Sequence, residues 1–453
     1  MKHEGNLSKT SVDNRSEIFQ EIEKTLSPYS ALKEASRCLF CYDAPCVKGC
    51  PAGIDVTNFI RKIKTKNYIG AISIIREANP FGSTCARICP SEVLCEKECS
   101  RGGIDDPIAI GKLQRFITDI ELKKGIKPIN PKKKKNKKVG IIGSGPSGIS
   151  CAWELAKMGY QVVVFEKEQK LGGLLRYGIP RYRLPEDVLQ KEIDAIEKYI
   201  EIKTSIDIRK EMPLDSILAK YDAVFLACGL GKAAKMNISD ENLEGVIMAN
   251  EFLYQVNTGE KPCFQNKTIA VIGGGNTAMD CACLARQFGS KDVKVIYRRS
   301  RMEIPAWERE YKLASDEGVE FHWLTLPIAI RGDRKVERIE CIKMKLGERD
   351  ESGRQKPIQI PGSEYEVKAD IVIEALGQKL DEELVAKLNI RTKNGKVIVN
   401  EETCQTSNPK IFAGGDVING GKTAVQAIGE GKKAAYGIDV FLSNKRIIAD
   451  VID

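Results

Sequence analysis

The sequence predicts an α/β protein in which two nested Rossmann-like dinucleotide-binding domains follow an α-helical, cysteine-rich domain. Three observations carry this. A glycine turn set between a buried strand and a helix occurs at Gly143 and again at Gly273, and eight of the 15 cysteines fall between Cys38 and Cys99. At 453 residues the chain has room for about three domains, and 42% hydrophobic content is enough to bury their cores.

Residues 1–131 form the first domain. In NFIRKIKTKNYIGAISIIREA apolar residues recur at three- and four-residue steps, the helical period. The thiols are spaced Cys38-x2-Cys41-x4-Cys46-x3-Cys50 and Cys85-x3-Cys89-x5-Cys95-x3-Cys99. In a reducing compartment such clustering favours metal ligation over disulfides. Eight thiols suffice for two four-cysteine sites, of zinc or of iron–sulfur clusters. Zinc ribbons prefer paired C-x2-C knuckles, and one such knuckle occurs here.

A lysine run, Lys132–Lys135 with Lys137 and Lys138, links this domain to the next. Without these six the formal charge of +9 falls to an ordinary +3, and no aromatics interleave with them, so they read as a solvated linker and not a nucleic-acid patch.

Residues 132–246 begin the first nucleotide domain. VGIIG is its strand, Gly143-Ser-Gly145-Pro-Ser147-Gly148 its turn and SGISCAWELAKMG its helix. QVVVFEK is the second strand. The glycines permit a tight turn and a close approach of backbone to a pyrophosphate, and the helix amino terminus offers N–H groups to the phosphates. Glu166 ends the second strand, where a carboxylate can accept both ribose hydroxyls. In residues 247–362 the pattern returns as TIAVIGGG, NTAMDCACLARQFG and VKVIYRRS, with Gly273, Gly275, Asn276 and Thr277 at the turn. Here the second strand ends in Arg298 and Arg299, and a guanidinium favours the extra phosphate of NADPH, with NADH left open. Residues 363–453 have strands but no strand–turn–helix start of their own. They are expected to complete the first sheet, making the second domain an insertion; a separate fourth domain is the alternative, and would bury little core. A chain with a flavin site has a use for one-electron clusters, which favours iron–sulfur over zinc in residues 38–99.

Several functions are disfavoured. The only histidines are His3 and His322, too few for chemistry built on a histidine base. No segment approaches the ~18 apolar residues of a spanning helix, and MKHEGNLSKT lacks the apolar core of a leader. A cytoplasmic location is expected. Cys281 and Cys283 are two apart on a helix and cannot form a redox pair. Cys151, Cys228, Cys263, Cys341 and Cys404 read as structural thiols.

EASRCLFCYDAPCVKGCP and CARICPSEVLCEKECSRGGIDDPIAIGKLQRF resemble the iron–sulfur domain of dihydropyrimidine dehydrogenase and of its separate NAD(P)H-oxidising subunit, with the glutamate synthase small subunit a close relative. GSGPSG, FEKEQKLGGLLRYGIPRYRLP, GGGNTAMD, YRRSRMEIPAWE and FAGGDV extend the likeness over nearly the whole chain. The resemblance implies FAD and two [4Fe–4S] clusters, one on Cys38, Cys41, Cys46 and Cys99 and the other on Cys50, Cys89, Cys95 and Gln114, with Cys85 a spectator. For the flavin it adds Gly173, Leu174, Arg183, Gly415, Asp416 and Thr423, and for the nicotinamide cofactor Gly377. It implies an electron-input oxidoreductase that hands electrons to a partner: an FMN-containing catalytic subunit in a hetero-oligomer, or a ferredoxin-like acceptor. No nucleic acid or membrane is expected. Dihydropyrimidine dehydrogenase is the favoured context. Glutamate synthase and a self-sufficient reductase are the alternatives.

Overall fold

The computed structural model describes residues 21–211, 214–350 and 353–443; the stretch read for a leader, with His3, lies outside them. The cysteine-rich region is helical. Ser27, Asp55 and Asn67 accept backbone N–H bonds at the starts of the helices Pro28–Ser36, Val56–Lys64 and Tyr68–Ala78. Their apolar faces, carrying Ala31, Phe59, Ile60, Ile63 and Ile75, close on Leu113, Phe116 and Ile117 of the helix Ile110–Lys124. The cysteines sit in the turns around this core and on the short helices Pro45–Lys48 and Gly82–Ile88.

Two parallel five-stranded sheets follow. The first runs in the order Ile411–Ala413, Ala223–Leu226, Lys138–Ile142, Gln161–Phe165, Glu201–Lys203. Its central strands are buried on both faces, as in sheets flanked by helices on each side. The helix Pro146–Lys157 crosses one face, and the helix Ala424–Leu442 lies on it so closely that a Cβ on Gly431 would come 2.2 Å from the Ser147 carbonyl oxygen. The second sheet has the order Val246–Met248, Ile371–Glu374, Thr268–Ile272, Asp292–Tyr297, Glu320–Trp323. An antiparallel sheet of Thr325–Arg331, Arg338–Arg349 and Gln355–Lys368 is inserted before its Ile371–Glu374 strand.

The tail divides differently from the expectation. Ile411–Ala413 completes the first sheet, but Ile371–Glu374, in the segment ADIVIEALGQ, pairs with Thr268–Ile272 and Val246–Met248 in the second. All four of its residues are buried, so hydrophobicity could not say which sheet it joins. By packing, the chain falls into two compact units. Of the described residues, one holds 23–176, 186–232 and 378–443; the other holds 177–185 and 233–377. The cysteine-rich helices therefore share a unit with the first sheet. The second unit starts about fifteen residues earlier and ends about fifteen residues later than the glycine-motif pattern suggested, at 233 and 377 in place of 247 and 362, because both Val246–Met248 and Ile371–Glu374 belong to its sheet.

Candidate cofactor sites

The first glycine turn forms a cradle. Gly143 has φ +100°, and a Cβ there would lie 2.4 Å from the Ala227 carbonyl oxygen. A Cβ on Gly148 would lie 2.1 Å from the Gly143 carbonyl oxygen. Only glycine permits this packing. Gly145, at the amino end of the helix Pro146–Lys157, faces open space. Gly173, with φ +52°, passes so near that its Cβ would sit 2.8 Å from the Gly145 Cα; Leu174 beside it is exposed. From the tail, Gly415 approaches Ser147, whose hydroxyl is buried without a hydrogen-bond partner. An orphaned hydroxyl among backbone glycines at a helix start is what a bound pyrophosphate satisfies.

Glu166 is buried at the end of its strand. Its Oε2 accepts from the Ser144 N–H at 2.9 Å and the Ser144 hydroxyl at 2.5 Å, and its Oε1 accepts from the Glu168 N–H. Ser144, which the motif treats as a filler position, thus fixes the carboxylate against the glycine loop. Thr423 caps the helix Ala424–Leu442 in a reciprocal pair with Gln426. Two turns on, Glu430 accepts from the Gly415 N–H at 2.6 Å and from the Asn419 amide, holding the Gly415–Asp416 turn to this helix. Burial pushes the Asp416 carboxyl up to about 6. Arg183 belongs to the second unit, where it meets Asp280 at 2.9 Å and Glu310 at 2.7 Å.

In the second unit Gly273 has φ +137°, with its Cβ position 2.3 Å from the Ala375 carbonyl oxygen, and Gly275 faces open space at the start of the helix Asn276–Gln287. The Asn276 side-chain oxygen accepts from the Trp307 N–H at 2.9 Å, which fixes the loop after the strand Asp292–Tyr297 to the helix start. Thr277 follows it, and Gly377, φ +91°, ends the unit. The two arginines part company. Arg298 is exposed, whereas Arg299 is buried and committed to Asp350 at 2.6 Å and to the Gln355 carbonyl oxygen.

The eight thiols fall into two groups. Cys38 feels Cys41 and Cys99, and Cys46 feels these and Cys38; Cys89 feels Cys50, Cys85 and Cys95, and Cys95 feels Cys50 and, across the groups, Cys46. Burial raises Cys38 and Cys50 and pushes Cys46 up to about 12. Cys89 is raised first by the hydrogen bond that its thiol donates to Cys85 and then by burial. These are neutral thiols that a metal must deprotonate on binding. Soft sulfur donors gathered in this number suit iron–sulfur clusters. Among the described residues no three His, Cys, Asp or Glu converge as a site for one metal ion. Gln114 is buried, and its amide nitrogen donates to the Gly82 carbonyl oxygen at 2.8 Å, at the start of the helix that carries Cys85. Cys85 itself stands within the second group. Its spacing from Cys89, one helical turn, is the signal that could have placed it there.

Sequence reasoning also missed the support of that helix. Glu192, on the helix Glu186–Glu197, accepts from the N–H groups of Ser83 and Thr84 at 2.7 and 3.0 Å and from the Thr84 hydroxyl at 2.7 Å. It pairs with Arg76 at 2.7 Å, which also pairs with Glu121 at 2.8 Å. All lie within one unit. No motif marks these residues, which are far apart in the chain.

Comparison with known proteins agrees with both halves of this geometry. The family described as pyridine nucleotide-disulphide oxidoreductase matches residues 137–431. The chain belongs to that family. Residues 15–126 match the family described as dihydropyrimidine dehydrogenase domain II, 4Fe-4S cluster, which decides between the iron–sulfur and zinc readings. The protein is an NAD(P)H-dependent flavin and iron–sulfur oxidoreductase. The NAD-dependent dihydropyrimidine dehydrogenase subunit PreT of Escherichia coli O157:H7 is 37% identical over 425 residues, covering 94% of this chain and 97% of the relative. The glutamate synthase [NADPH] small chain of Escherichia coli K12 is 35% identical over 440 residues, 93% of each. The subunit beta of the NADP(+)-dependent formate dehydrogenase of Moorella thermoacetica is 38% identical over 425 residues, and the chain spans 60% of that relative's length. In fold the reductase resembles FprA of Mycobacterium tuberculosis in complex with NADPH, with a TM-score of 0.59 at 19% identity over 68% of this chain and 85% of that one.

No helix among the described residues of the reductase is long and apolar enough to cross a membrane.

Proposed function

We propose that the reductase is an electron-input module: its two glycine-motif sites would hold FAD and NAD(P)H and its cysteine-rich helices two [4Fe–4S] clusters, groups that would supply hydride transfer and one-electron transfer toward a partner subunit. One observation carries this reading. The cysteine-rich helices and the first glycine cradle are a single compact unit, so a flavin site and the cluster ligands share one scaffold.

Within it, Gly143, Gly145, Ser147, Gly148 and Gly173 would hold the flavin pyrophosphate, Glu166 the ribose, and Gly415, Asp416 and Thr423 the neighbourhood of the ring. The amino end of the Ala424–Leu442 helix would favour negative charge there. In the other unit Gly273, Gly275, Asn276, Thr277 and Gly377 would receive the nicotinamide cofactor, and exposed Arg298 would read the phosphate of NADPH. Cys38, Cys41, Cys46 and Cys99 would hold one cluster; Cys50, Cys89 and Cys95 would hold the other, with Gln114 as fourth ligand by resemblance. Fifteen cysteines with no disulfide among the described residues suit a reducing, cytoplasmic setting.

For the partner we propose an FMN-containing dihydropyrimidine dehydrogenase subunit, on the 97% coverage of PreT. The formate dehydrogenase and glutamate synthase relatives support the broader class, an enzyme whose substrate is bound elsewhere. The test is to purify the chain under anaerobic conditions and identify what accompanies it. Flavin and iron in the chain, with a co-purifying substrate-binding subunit, are expected; a protein without flavin or iron would overturn the reading.

A further inference from the structure

The helix Ala424–Leu442 has two features for which flavin binding has no use. A Cβ on Gly429 would come 2.3 Å from the Pro51 carbonyl oxygen, so the helix backbone lies directly on the turn that follows Cys50. Three residues on, Lys432 reaches that same turn. Its Nζ donates to the Ala52 carbonyl oxygen at 2.6 Å and to the Ala78 carbonyl oxygen, at the end of the helix Tyr68–Ala78, also at 2.6 Å. Thr423 to Gly429 is six residues, or ~9 Å along the axis at 1.5 Å each. One helix thus joins the proposed flavin end to the Cys50 turn.

Two neutral carbonyls could be satisfied by a neutral amide. A partly buried ammonium gives up hydration that such carbonyls only partly replace, so the charge itself calls for a use. The Cys50 sulfur is within its electrostatic reach. Three other charged groups lie in range: Glu154 and Lys157 pair with each other at 3.0 Å and largely cancel, and Glu77 is solvated, with its side chain 83% exposed.

We propose that Lys432 is a positioning residue for the cluster ligated by Cys50, holding the ligand turn against the helix and making that cluster easier to reduce. This rests on the reading that Cys50 is a cluster ligand. The step it affects is the gain of one electron, drawn ultimately from the nicotinamide cofactor; no bond forms or breaks and no proton moves. A fixed positive charge beside a thiolate ligand favours the state that carries the extra electron.

The experiment uses the full chain with its clusters and flavin in place, as wild type, Lys432→Gln and Lys432→Arg. Each is titrated anaerobically against potential and followed by the electron paramagnetic resonance of its reduced clusters, with iron and flavin measured alongside. In Lys432→Gln, which keeps a donor for the two carbonyls, one cluster is expected to become about tenfold harder to reduce at fixed potential, a ~59 mV fall in midpoint for one electron. The other cluster, iron and flavin should be unchanged, and Lys432→Arg should keep the wild-type midpoint. An unshifted midpoint in Lys432→Gln overturns the proposal. Should that variant shed iron, Lys432→Arg decides: a wild-type midpoint supports the charge, and a shift as large as tenfold overturns it. Full iron retention in a Cys50→Ser variant would instead sink the ligand reading on which the proposal stands.

Discussion

Arg298 and Arg299 are neighbours in sequence and differ in what they can do. Arg299 is buried against Asp350, while Arg298 is exposed at the end of its strand. Arg298→Gln is therefore expected to raise KM for NADPH about ten- to hundredfold, the ~1.5–3 kcal/mol of a charged phosphate contact, and to leave KM for NADH nearly unchanged. Arg299→Gln should instead lower stability and move both constants alike. Steady-state kinetics with the two cofactors, beside thermal denaturation, separates the cases; equal effects of Arg298→Gln on both cofactors would refute its role. The sequence showed the arginine pair but not its division of labour, because Asp350 is fifty residues away. A second residue effect concerns pH. Burial, with help from the neighbouring Glu241 carboxyl, raises Glu374 from 4.5 to about 7. The folded chain then holds a proton that the unfolded chain gives up between these values, so this group's contribution to stability falls as pH rises through that window. Glu374→Gln should flatten the decline and stabilise the protein above about pH 7. Denaturation midpoints across the window check it, and an unaltered slope would count against it.

Helices and strands with a clear period were legible, and so were both strand–turn–helix starts. The destination of Ile371–Glu374 was not, since a strand buried on both faces shows no alternation and no motif flanks it. Side-chain bridges between distant elements were equally silent. Glu192 is the strongest case: on a helix of the first nucleotide domain, it satisfies the first N–H groups of the helix leading to Cys89 and neutralises buried Arg76. Glu192→Ala leaves that guanidinium short of a partner and should cost about 3–5 kcal/mol. Denaturant unfolding and iron per chain are the measurements, with iron expected to fall. Iron at the wild-type level in a destabilised variant would mean that Glu192 does not support the cysteine-bearing helix.

At the scale of the molecule, two nucleotide-type sheets and a cysteine-rich helical layer account for nearly all the described residues. The isolated chain is accordingly expected to reduce artificial dyes with NAD(P)H, and to form neither a dihydropyrimidine nor glutamate. Assays of dye, uracil or thymine, and glutamine with 2-oxoglutarate, run side by side on the purified chain, test this; turnover of either organic substrate would count against the electron-input reading.

Residues 177–185 carry a practical consequence. They interrupt the flavin half in sequence, yet Tyr182 is part of the second unit's core and Arg183 neutralises Asp280 and Glu310 there. A gene fragment encoding 233–377 alone would lack this strap. Asp280, whose carboxyl burial pushes up to about 6 even beside Arg183, would lose its counter-ion, and the core would lose the Tyr182 ring. Anyone exchanging cofactor preference between relatives by transplanting this lobe must move it as a two-piece graft. A single-cut chimera should express poorly, whatever the quality of its nucleotide motif.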